Sequence, residues 1–148
     1  MYTSAGRHRW YIFTSLACLY FLVYFQRVSP AVIAFDLMRD FEAGGAVLGL
    51  MSAAYFYSYA LVQIPIGVLS DSFGPRKTVT LFSLIAFFGT ILFAFAQDVV
   101  TLSTGRALIG FGVGGVFIPA LKIIAEWFHA REFATLNGVL VAVGNFGL

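Results

Sequence analysis

Five long apolar runs leave this chain few ways to fold. The first extends from Trp10 to about Leu37 and is interrupted by Gln26, Arg27 and Asp36. The others cover 47–69, 79–96, 99–128 and 133–148, the last still apolar at Leu148. Each complete run reaches or approaches the ~20 residues with which a helix crosses ~30 Å of hydrocarbon. In lipid, only helices and closed barrels satisfy their own backbone groups, and these runs lack the alternation of barrel strands. With 60% of its 148 residues hydrophobic and 11% charged, a soluble domain of this size could not hide so much apolar surface. The expected fold is an all-α membrane protein, an antiparallel bundle of transmembrane helices. A cleaved signal peptide fits the first run poorly. Its apolar part is too long, is rich in Tyr and Phe, and has no small-residue cleavage site before Arg27.

The sparse charges are arranged rather than scattered. With the N-terminus placed in the cytoplasm, the inner segments hold Arg7, Arg9, Arg76, Lys77 and Arg131. The outer segments then hold Arg39 with the acids Asp40, Glu42 and Asp98. That bias favours the N-terminus-inside orientation. Short connections such as Ala96-Gln97-Asp98 predict that successive spans are antiparallel neighbours. A formal charge of +2 is too small to point to nucleic acid. Cys18 lies inside an apolar run without a second cysteine, so no intrachain disulfide is available. His8 and His129 have no companion ligands at metal spacing, and no nucleophile triad or phosphate loop occurs. The expectation is therefore no metal, no cofactor and no enzymatic chemistry. The fifth run has no polar flank closing it, which predicts that the chain is the front of a longer protein.

Between runs two and three the sequence breaks into GVLSDSFGPRK, Gly67 to Lys77. Gly67 would allow close approach of a neighbouring helix, Asp71 ends the helix, and Gly74-Pro75 makes the turn. Arg76 and Lys77 open the next helix. A tight turn with basic anchors explains Pro75, Arg76 and Lys77, but not an acid at a membrane edge, where an unpaired carboxylate is costly. The stretch resembles the signature loop of the major facilitator superfamily, G-x-L-x-D-x-x-G-x-(R/K)-(R/K), with Gly67, Leu69, Asp71, Gly74, Arg76 and Lys77 in register. YFYSYALVQIPIGVLSD, GRALIGFGVGG and EWFHAREFATLNG are similar to that family's second helix, fourth helix and following loop. The resemblance implies the first five helices of a twelve-helix transporter whose remaining half would lie beyond this chain. It also implies a gating role for the loop acid, through bonds to a helix end and to basic partners. Ser72 stands where a base often occurs, which weakens the local pairing. The family's antiporter signature, with its glycine-proline pair, is not seen.

Arg27 is the most demanding single residue. It stands 17 residues after Trp10, or ~25 Å along a helix, with apolar sequence beyond it. An arginine this deep costs about a few kcal/mol or more unless it meets water, a partner or a ligand. Tyr20, Tyr24 and Arg27 share one helix face, so the residue either lines a cavity or snorkels outward. LVYFQRVSPAV resembles first helices of the organophosphate and organic-anion branches. That implies an anionic substrate (a sugar acid, organophosphate or carboxylate) moved by symport with a coupling ion. Arg106 matches the family's fourth-helix arginine, which implies substrate binding or proton coupling. Gly110 and Gly114 after it form a small-xxx-small pair for helix packing. Tyr55, Tyr59, Gln63 and Gly67 follow one another at i+4, a polar-edged stripe suited to a cavity wall or to interhelical bonding. Lys122 falls about 160° from Arg106 on a straight helix and four residues before Glu126. Local pairing with Glu126 is the expectation there. Pro30, Pro65 and Pro119 each fall within a span and remove a backbone bond. Asp36, Arg39 and Asp40 are spaced for a solvated pair network, with proton coupling as an alternative role for Asp36. Two rivals stay open: a truncated remnant without transport, and a small polytopic membrane enzyme or sensor.

Overall fold

A computed structural model describes residues 3–42 and 44–147, with side chains from residue 8 onward. The Arg7 side chain and Leu148 lie outside the described residues. Helices run Thr3–Val32 (α1), Ala34–Asp40 (α2), Gly45–Phe73 (α3), Pro75–Ala94 (α4), Val99–Gly114 (α5), Phe117–Trp127 (α6) and Ala130–Asn145 (α7). Four segments are long and apolar enough to cross a membrane: His8–Val32, Gly45–Phe73, Pro75–Ala94 and Val99–Trp127. The fifth apolar run forms α7.

Breaks in the helices follow local chemistry. The first run is divided at Ile33, three residues after Pro30. Gly115 and Val116 interrupt the fourth run, three residues before Pro119. Gly74 joins α3 to α4 with φ +85°, a backbone state that an L side chain adopts only under strain. Pro75 takes the first position of α4, where its missing N–H is harmless. Asp98 caps α5 by accepting from the Thr101 N–H at 2.8 Å.

Packing is organised around α5, which lies against α3 on one side and α4 on the other. Glycines make this close approach: a Cβ at Gly110 would strike the Tyr55 backbone and one at Gly112 the Ala86 backbone. A Cβ at Gly105 would stand 2.8 Å from the Phe93 nitrogen. Gly110 and Gly114 thus serve the packing expected of them, both toward α3. The expectation that each span lies against the next holds for α4 and α5 but not throughout. Span one packs chiefly along α7, and α3 chiefly along α5. Short loops limit how far successive helices can separate, but the glycine faces choose the neighbour. Large apolar side chains on the outside, such as Ile64 at 82% and Phe35 at 83% exposure, suit contact with lipid or further helices rather than water.

Candidate functional site

Two helices bring the polar aromatic residues together. Tyr20, Val23, Tyr24 and Arg27 of α1 face Tyr55, Phe56 and Tyr59 of α3 across a narrow cleft of about 70 Å³. Val113 of α5 and Phe117 of α6 complete its lining. The spacing i, i+4, i+7 on α1 and i+4 on α3 is what aligns these rings on facing sides. Tyr20 packs edge-on against Tyr24 at 5.2 Å, and Tyr55 stacks with Tyr59 at 6.4 Å between centroids. The Arg27 guanidinium stands 5.4 Å from the Phe56 ring centroid. Among the described residues no carboxylate forms an ion pair with it. A guanidinium over an aromatic face keeps its in-plane donors free for a second group. The cleft therefore offers one fixed positive charge and several phenols, a set that can bind a small anion.

Arg106 and Gln63 lie elsewhere. Arg106 is 2% exposed, with its guanidinium 4.5 Å from the Tyr55 ring centroid and 5.8 Å from that of Phe93. Its Nη1 donates to the Gln26 carbonyl at 2.8 Å. It thus stands behind Tyr55 rather than in the cleft lining. Gln63 donates through Nε2 to the Gly114 carbonyl at 3.2 Å, at the helix end where such carbonyls lose their own donors.

The turn at 67–77 is tied to the fourth run. Asp71 Oδ1 accepts from Lys122 Nζ at 2.6 Å, and the Gly67 carbonyl accepts from the same nitrogen at 3.1 Å. Arg76 lies 4.7 Å from the Trp127 ring centroid, and Lys77 is exposed. Two expectations are corrected here. Lys122 pairs with Asp71 of α3, not with Glu126 of its own helix, because across the helix contact the amine meets both the Asp71 carboxylate and the Gly67 carbonyl. Gly67 does not admit a close helix neighbour, since a Cβ there would meet nothing within 4 Å; its carbonyl is what the structure uses. The sequence held a signal for the first pairing. Spans two and four run in the same direction, so Asp71 and Lys122 reach the same end of the bundle, where the acid required a partner.

A second interhelical tie was absent from the sequence reasoning. Arg9 pairs with Glu132 at 3.3 Å, and its guanidinium lies over Phe128 at 5.2 Å. Glu132 also accepts from the His129 N–H at 3.2 Å, capping α7. At the other end Arg39 pairs with Asp36 and Asp40, each at 3.4 Å, in an exposed group, as its spacing predicted.

Comparison with known proteins fits this architecture. The chain is 36% identical over 141 residues to "Uncharacterized transporter YybO" of Bacillus subtilis (strain 168), covering 95% of this chain and 32% of that protein. It is 32% identical over 132 residues to "Probable sulfoacetate transporter SauU" of Cupriavidus necator, covering 89% and 31%. The chain therefore spans about a third of the length of these curated relatives. Its fold superposes with TM-score 0.89 on a crystal structure of a bacterial homolog of the human lysosomal transporter Spinster, inward-facing and occupied. That match covers 94% of this chain and 30% of the other at 24% identity. The family description "Major Facilitator Superfamily" matches residues 16–148. With its apolar spans, its 67–77 turn and this match, the chain is an integral multi-pass membrane protein belonging to the Major Facilitator Superfamily.

Proposed function

We propose that this chain forms the front part of a secondary transporter that carries a small organic anion by alternating access around the α1–α3 cleft. The observation that carries the proposal is the placement of Arg27, without an ion-pair partner among the described residues, in a cleft walled by Tyr20, Tyr24, Tyr55 and Tyr59. An arginine within an apolar span is costly where it meets hydrocarbon; the Arg27 side chain is exposed beside the cleft, open to an anionic ligand that would offset that cost. The sulfoacetate named for one relative is a small organic anion of the class this charge and these phenols would bind. Arg27, Tyr24, Tyr55 and Tyr59 contact the ligand, while Arg106 and Gln63 support the walls from behind. Gly67, Asp71, Gly74, Arg76 and Lys77 form a cytoplasmic gate, the N-terminus lies in the cytoplasm, and the host is the cell membrane. A second set of helices supplies the rest of the pathway, and a proton or sodium gradient drives symport.

Uptake of labelled sulfoacetate into vesicles bearing the full-length protein tests this. Arg27→Ala is expected to lower uptake ~10-fold or more, since a charge-assisted hydrogen bond is lost. Arg27→Lys keeps the charge and retains part of the activity. Uptake by Arg27→Ala at the parental rate overturns the site. Dependence of uptake on a proton or a sodium gradient identifies the coupling ion.

A further inference from the structure

Pro30 lies inside α1, and a proline nitrogen carries no hydrogen. The carbonyl four residues earlier therefore loses its ordinary helical donor. That carbonyl belongs to Gln26, and it is the one to which Arg106 Nη1 donates from α5 at 2.8 Å. The Gln26 side chain makes a separate bond, donating through Nε2 to Thr90 Oγ1 of α4 at 3.0 Å. One residue, a turn before the proline, thus ties α1 to both α4 and α5. Each partner in the Arg106 contact would be a liability alone. A carbonyl without a donor is costly in an apolar interior, and a buried guanidinium without acceptors is costlier. Their bond satisfies the carbonyl and one guanidinium nitrogen, while Arg106 Nε stays buried without a hydrogen-bond partner.

We infer that Arg106 is a positioning residue: it supplies the donor that Pro30 withholds and so fixes α1 at the azimuth that turns Arg27 into the cleft. Arg27 follows Gln26 directly, so any rotation of α1 at this level carries both. The same guanidinium lies against Tyr55, so a single side chain sets two walls of the cleft. The functional half of this inference rests on the anion-site reading of that cleft; the structural half does not.

Restoring the missing donor tests it. Pro30→Ala returns an N–H that can reach the Gln26 carbonyl within α1, making the Arg106 bond redundant. In the full-length protein purified in detergent, Arg106→Leu is expected to lower Tm by about 5 °C or more. Pro30→Ala is expected to recover much of that loss while shifting the parent far less, a strong coupling between the two sites. Equal behaviour of Arg106→Leu and the double variant, including failure of both to fold, overturns the inference. Labelled sulfoacetate supplies a second readout. Binding that returns with Tm in the double variant supports positioning, whereas Tm recovery with binding still lost makes Arg106 a direct ligand and overturns it. An Arg27→Ala variant that binds like the parent sinks the anion site instead and leaves the Tm comparison standing.

Discussion

At the end of the bundle that carries the Asp71 turn, Lys122 reaches a partner 51 positions away and Arg9 one 123 positions away. At the Asp98 end the described charged groups bond locally: Arg39 pairs with Asp36 and Asp40 on its own helix, and Asp98 accepts hydrogen bonds from Thr101. Local pairs survive any movement of one helix past another, because both partners travel together. Pairs between helices exist in one arrangement and break in another. The first end is therefore latched by ion pairs between helices of this chain, and the second by none among the described residues.

The largest expected effect removes the contrast altogether. Gly110→Val would drive a side chain into the Tyr55 backbone and pry α5 from α3, loosening both ends. Overpacking of this kind costs ~1–3 kcal/mol or more, and a sharp loss of monodisperse protein in detergent is the readout. A normal yield and Tm would mean that the glycine seam is not what holds the two ends together.

A smaller effect sharpens the contrast. A double-mutant cycle on Lys122→Ala and Asp71→Asn, read by Tm in detergent, should give a coupling of up to ~1 kcal/mol, as partly exposed pairs do. The same cycle on Arg39→Ala and Asp36→Asn should stay within ~0.5 kcal/mol. Equal couplings at both ends would erase the distinction between latched and local.

The smallest effect belongs to Asp98. Hydrogen bonds from the Thr101 N–H and hydroxyl hold its carboxyl below the usual carboxylate range. A lowered folded pKa contributes stability that is complete above the unfolded value of ~3.9. That contribution fades as pH falls through the folded value. Between pH 7 and 5 the start of α5 should be indifferent to pH, with loss confined to stronger acid. Asp98→Asn keeps a capping oxygen and should flatten the acid limb alone, measured by hydrogen exchange at Val100 to Leu102. An unchanged acid limb in that variant would assign the effect to another group.

Much of this molecule was legible along the chain, and the illegible part has a common cause. Span positions, the Gly74-Pro75 turn, the Asp98 to Val99 boundary and the glycine seam all depend on residues close in sequence. The interruption at Gly115–Val116 was less visible, because the run stays apolar through it. The roles of the two arginines were not separable. Both are deep cations near glycine or tyrosine, yet one lines a cleft and the other is spent on a proline-freed carbonyl. Lys122 has Glu126 four residues away on its own helix, yet its partner lies on α3.

The sequence by itself determined that the chain is a set of membrane-crossing helices, because hydropathy and span length add up residue by residue without reference to neighbours. It also determined the sharp turn at Gly74, because positive φ is a property of one residue. Only the tertiary structure decided which helices are neighbours, that Lys122 closes on Asp71, and that Arg106 backs the cleft while Arg27 faces it. Those outcomes depend on helix rotation and on breaks such as Gly115–Val116, which shift the direction of every later side chain.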